Sequence, residues 1–126
     1  MPLGDRVLDL GLNVLDVEAT HLELCSALPT TYAAATTTNN LGTANLGAGN
    51  VAGAPAAGSP NGRKVTVAAV TGTTGTVATG GTASHIAITD RTNSRLLHAQ
   101  ALSANKTVNA GDNWTSPAFD ISIPNQ

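Results

Sequence analysis

Large side chains are scarce in this chain. Its 126 residues include one Phe, one Trp and one Tyr, so that aromatics make up 2%, and the stacking platforms used for sugars or single-stranded nucleic acid have almost nothing to be built from. Charge is scarce too, with Lys and Arg numbering 6, Asp and Glu 8, and a formal net charge of -2. No basic run occurs, which argues against a polyanion-binding face and against a polybasic membrane patch. The single cysteine, Cys25, cannot close an intrachain disulfide, and one thiol cannot build a structural zinc site. No apolar run approaches the roughly 18 residues of a membrane-spanning helix. Asp5, Arg6 and Asp9 interrupt the apolar pattern where a signal peptide would continue it, so synthesis in the cytosol is expected.

What the chain has in quantity is small. Leu, Val and Ile together number 26, against 21 Ala, 18 Thr, 13 Gly and 11 Asn. The length fits a single domain over 1–126. Burial is worth roughly 25 cal/mol per Å² of apolar surface, so a core of such pieces has little to set against backbone entropy. Support from neighbouring subunits is the expectation.

Along the chain, the apolar positions between Gly4 and Leu15 fit both a helical and a strand period. Asp5, a good N-cap, favours a short N-terminal helix, although Gly11 costs it about 1 kcal/mol. Ala19 to Ser26 reads as a strand, with Leu22 and Leu24 on one face and His21, Glu23 and Cys25 on the other, ended by Pro29. Thr30 is placed to cap a helical turn at Tyr32-Ala33-Ala34-Ala35, and Thr36 to Asn40 favour extended chain or turn. The uncharged, Gly/Ala-rich stretch 41–62 reads as one long loop, flexible or laid against a partner. After the turn pair Asn61-Gly62, strands are expected over Arg63 to Thr71, Thr76 to Thr79, Thr82 to Thr89, Arg95 to Ser103 and Trp114 to Ile123. Turns at Gly72 to Gly75, Asp90 to Ser94 and Asn109 to Asp112 separate them, and Pro124 ends the last. The spacing predicts a mainly β protein, an antiparallel β-sandwich or barrel-like domain.

Candidate chemistry is thin. Gly47 to Gly53 looks superficially like a dinucleotide loop, but its spacing is off by one and Pro55 and Gly58 occupy the place of the helix. His21, Glu23 and Cys25 alternate along one strand and are able to offer metal ligands. Successive same-face side chains lie about 6.5 to 7 Å apart, too far for one ion without partners from elsewhere, and a partly buried strand edge is the simpler account. His85 and His98 lie on strands either side of the Asp90 hairpin, close enough to form a cross-strand pair. No G-x-S-x-G elbow occurs. Asp5, Asp9, Asp16, Glu18 and Glu23 are spaced like a solvated face rather than an acid/base pair. The sequons at Asn105 and Asn113 matter only in a secreted eukaryotic chain. No catalytic, cofactor-binding or metal residue is assigned.

Several phrases together resemble a family of small tailed-phage virion proteins. They are Leu3-Gly4-Asp5-Arg6-Val7-Leu8-Asp9, Leu22-Glu23-Leu24-Cys25-Ser26, Pro29-Thr30-Thr31-Tyr32-Ala33, Leu41-Gly42 and Gly62-Arg63-Lys64-Val65, with Thr82 to Asp90 and Phe119-Asp120-Ile121-Ser122-Ile123-Pro124 completing the set. The likeness spans nearly the whole chain and carries no catalytic signature. It implies a structural protein of the virion, first a capsid decoration (cement) protein that stabilises the expanded head. The implied partners are further copies of itself, as a homotrimer, and the major capsid protein, with no nucleic acid, membrane, cofactor or small-molecule substrate. A tail or head–tail component and a host-binding adhesion module are the alternatives.

Overall fold

The computed structural model describes residues 5–47, 49–57 and 62–123. Gly4, Asn61 and Pro124, to which the sequence reading gave parts, lie outside them. The described residues form a helix and nine strands in the order α1 (Asp5–Val17), β1 (His21–Cys25), β2 (Asn40–Asn45), β3 (Ala56–Ala57), β4 (Arg63–Val67), β5 (Val70–Val77), β6 (Gly81–Asp90), β7 (Arg95–Val108), β8 (Asn113–Ser116) and β9 (Phe119–Ile123). A large sheet runs β7-β6-β1-β2-β5-β8 and a small one β3-β4-β9. All the pairings are antiparallel. The result is the mainly β, sandwich-like fold with a short N-terminal helix that the spacing predicts.

The helical period wins in α1 because Leu12 and Leu15 are buried in the core while Leu10 and Val17 face outward. Asp5 is itself helical, and so is not the residue that caps the helix from outside. Between the sheets, Leu22 and Leu24 of β1, Ile86 and Ile88 of β6, Val65 and Val67 of β4, and Trp114 of β8 meet Val51 and the helix in one core.

Two expected strands are each two. Arg63 to Thr71 divides at Ala68-Ala69 into β4 of the small sheet and β5 of the large one, and Trp114 to Ile123 divides at Pro117-Ala118 into β8 and β9. Because β4 pairs with β9 and β5 with β8, one ribbon turns the corner and links the two layers. Pro117, lacking an N–H for the ladder, sits at that corner. The expected turn at Gly72 to Gly75 lies inside β5, where the register jumps from Val70↔Ser116 to Gly75↔Trp114. A side chain at Gly75 would run into the Trp114 carbonyl and lie 2.8 Å from Val70 Cγ1, so this glycine serves the indole's packing.

The expected loop over 41–62 is also shorter. Its first residues, through Asn45, belong to β2 inside the large sheet, and further on Val51 and Ala52 are buried, with Ala52 bridging Val67. Local polarity hid this because β2 offers mostly Gly, Thr, Ala and Asn to its neighbours. Ahead of β2, the helical turn expected from Tyr32 is present and runs on as a π-type turn, Ala34–Thr38, into residues for which extended chain or turn was expected. Thr31, and not Thr30, caps the helical turn that begins at Tyr32, its Oγ1 accepting from the Ala34 N–H at 3.0 Å.

Candidate functional site

The polar cluster of the molecule sits on the face of the large sheet that points away from the core. Alternation along β1 puts His21, Glu23 and Cys25 there. Register sets Thr43 of β2 on one side of Glu23 and Ala87 of β6 on the other, with Thr89 opposite His21. The chain between β1 and β2 folds back over this face and seals Cys25, Ala35 and Ala87 into a second small apolar cluster, against which Leu96 and Ala99 pack. β1 is therefore a central strand buried on both faces, which corrects the reading of a partly buried edge.

Glu23 is fully buried, and its carboxylate is held from every side. Arg91 reaches it from the β6–β7 turn, Nη2 donating to Oε1 at 2.5 Å and to Oε2 at 3.0 Å, and Nε donating to Oε2 at 3.3 Å. Thr89 and Thr43 hydroxyls donate at 3.4 Å and Asn40 Nδ2 at 3.5 Å. A planar guanidinium that grips both oxygens gives the pairing strength and direction. The bond to Glu23 in turn holds Arg91 above its usual pKa. Asn40 also donates to the carbonyls of Ala35 and Gly42, at 2.9 and 3.2 Å, tying the π-type turn to β2.

The neighbouring groups are committed in the same way. Thr20 Oγ1 lies 2.7 Å from His21 Nδ1 and accepts the Arg91 N–H at 3.0 Å. Burial, and then the Arg91 charge, push the His21 pKa below its usual value, with Glu23 opposing. The Cys25 thiol donates weakly to the Ala35 carbonyl at 3.7 Å, and burial, with the Glu23 charge second, pushes it up to about 12. A thiol buried and held protonated in this way is a poor nucleophile at neutral pH. Among the described residues no three His, Cys, Asp or Glu side chains are placed to hold a metal ion.

The histidines of β6 and β7 do not pair. His85 lies opposite Ala101, and His98 opposite Ile88. The odd spacing of 85 and 88 along one strand puts the two rings on opposite faces, a separation that the hairpin alone does not reveal. His85 Nδ1 lies 2.7 Å from Ser84 Oγ, whose hydrogen is donated to the Ser26 carbonyl at 2.9 Å. Nδ1 is then the donor to Ser84, the wrong polarity for a base that activates a serine. His98 Nε2 lies 3.0 Å from Gln100 Oε1.

Sequence reasoning missed Arg91, Asn40, Thr43 and Thr89 as members of this cluster. The available signal was Glu23 itself, because a carboxylate on a strand between Leu22 and Leu24 needs a cation once the strand is central. What the assembled cluster does chemically is hold the β1–β2 connection and the β6–β7 turn onto the sheet.

No protein-family model, curated protein or solved structure matches this chain. Among the described residues no helix is long and apolar enough to cross a membrane.

Proposed function

We propose that this chain is a structural protein of a tailed-phage virion, a capsid decoration protein that stabilises the expanded head through contacts with further copies of itself and with the major capsid protein. The observation that carries this reading is the closure of the buried charged cluster. Both oxygens of Glu23 are spent on Arg91 and on neighbouring hydroxyl and amide donors, none facing an open cleft. Other charges are likewise paired within the fold, Lys64 with Asp120 at 3.1 Å and Arg95 with Glu18 at 3.3 Å. Thr71, Thr73, Thr74, Thr76, Ala78 and Thr79 of β5 and its following bend present short uncharged side chains to solvent, surfaces that dock without the cost of stripping water from charge.

In such a role no bond is made or broken. A protein that binds the expanded shell and not its precursor shifts the equilibrium toward the expanded state by mass action. Three copies around a symmetry axis would each cover a junction between capsomers, and on the order of 800 Å² per partner suffices for stable association. The sequence phrases that resemble small virion proteins point the same way.

The test is reconstitution. Purified protein added to empty expanded heads is expected to co-sediment to saturation and to raise the temperature at which they disrupt. Heads that neither bind it nor gain heat resistance overturn the reading, and binding to isolated tails moves the protein to the tail.

A further inference from the structure

The sandwich is open on one side. β7 ends the large sheet and β9 ends the small one, and a cavity of about 190 Å³ lies between them, lined by Ile86, Gln100, Leu102, Ser116 and Phe119 among others. Ile86 belongs to the main core and Leu102 and Phe119 pack against it, so the cavity is a breach in the core's wall. Beside it the β6–β7 ladder is interrupted. Pairing passes from His85↔Ala101 to Ala83↔Lys106, leaving residues 102–105 of β7 opposite Ser84 alone. Ser116, 8% exposed and lining the cavity, has a buried hydroxyl with no hydrogen-bond partner. A buried polar group left in this state costs about 1–3 kcal/mol. An apolar hollow, two unpaired strand edges and an orphaned hydroxyl thus converge on one place.

We propose that this open side, between β7 and β9, is where a second copy of the chain adds edge to edge. An apolar side chain of the incoming copy fills the cavity, and its polar groups supply the partner that Ser116 Oγ lacks. The proposal rests on the virion-structural reading and names the surface through which copies meet. Charge is what favours a second copy as the occupant. From Leu96 to Asn105 β7 carries no charged residue, and the flanking cations are engaged in their own chain, Arg95 with Glu18 at 3.3 Å and Lys106 with the Thr115 carbonyl at 2.5 Å. Between copies of one chain a charged strip at the seam needs an opposite charge on the edge it faces, and a neutral strip associates without that requirement. A long, neutral, partly apolar edge is a template for strand addition.

Light scattering coupled to size-exclusion chromatography, over a concentration series, tests this with two variants. Gln100→Glu places a carboxylate at the wall of the cavity, on the face of β7 that lies beside Ile86, and Thr37→Glu places one on an exposed position of the π-type turn. The wild type and Thr37→Glu are expected to associate equally, and Gln100→Glu to associate at least tenfold more weakly while melting as a folded domain. Amide exchange in 102–105 and at Ser116 is expected to slow on association. The proposal is overturned if the wild type stays monomeric, if Gln100→Glu associates as tightly as the wild type, if protection appears elsewhere, or if native mass spectrometry finds a small molecule retained in the cavity. Binding of the same Gln100→Glu protein to expanded heads distinguishes the two failures, since heads saturated by a monomer leave the virion reading standing and remove only this surface.

Discussion

Replacing Arg91 by alanine isolates the physics of the polar cluster. The substitution leaves a carboxylate with no exposed surface and only neutral donors at 3.4 to 3.5 Å. Breaking a buried ion pair from one side costs about 3–5 kcal/mol. The Arg91 side chain is 34% exposed, so water enters the vacated space and moves the expectation to the lower end, about 3 kcal/mol. Against a total stability of roughly 5–15 kcal/mol that is a large share. Urea unfolding followed by the fluorescence of Trp114, the one tryptophan and a buried one, reads it directly. Glu23→Gln removes the stranded charge but keeps an acceptor for the Thr43 and Thr89 hydroxyls, so Glu23→Gln combined with Arg91→Ala is expected to be more stable than Arg91→Ala alone. A loss below about 0.5 kcal/mol for Arg91→Ala, the size of an ordinary surface substitution, would refute the reasoning, as would the absence of any relief in the double variant.

Four further outcomes follow from contacts within the fold. Gly42→Ala is expected to cost about 1–3 kcal/mol by overpacking, since the added methyl would collide with the Thr76 carbonyl and lie 3.1 Å from Trp114 Nε1; an unchanged melting temperature and tryptophan emission would count against it. For Cys25, a thiol raised from 9.0 to about 12 means that the folded state holds its proton longer than the unfolded chain. Stability then falls as pH rises above 9.0, at about 1.4 kcal/mol per pH unit, and the slope should flatten in Cys25→Ala. On the acid side the His21 pKa is lowered, so its contribution is complete above 6.5 and declines as pH falls through that value. Asp90, lowered chiefly by the Asn93 side-chain bond, loses its contribution at lower pH, below 3.8, as its carboxylate protonates. Denaturation midpoints of His21→Asn and Asp90→Asn across this range separate the two.

The parts of the fold that local pattern determines are those the chain announces. Leu12 and Leu15 mark the buried face of α1, the alternation around Leu22 and Leu24 marks β1, and the polar run after Asp90 marks the β6–β7 hairpin. The layer change at Ala68-Ala69 has no such mark, because two alanines between valine-rich strands read as continuous β; Pro117 was a usable sign for its counterpart. The cluster around Glu23 was half legible. His21, Glu23 and Cys25 do share a face, but the cation that fixes their chemistry arrives from 68 residues away, and only the pairing of β1 with β6 brings it there. The separation of His85 from His98 is likewise a matter of register, which a hairpin's length in sequence does not disclose.

Quantitative mass spectrometry of purified virions encoding this chain, fractionated into heads and tails, tests the central claim most directly. The account predicts the chain in the head fraction, at a fixed stoichiometry to the major capsid protein that survives washing. Its absence from the particles, or its recovery only in infected-cell extract, would contradict the account.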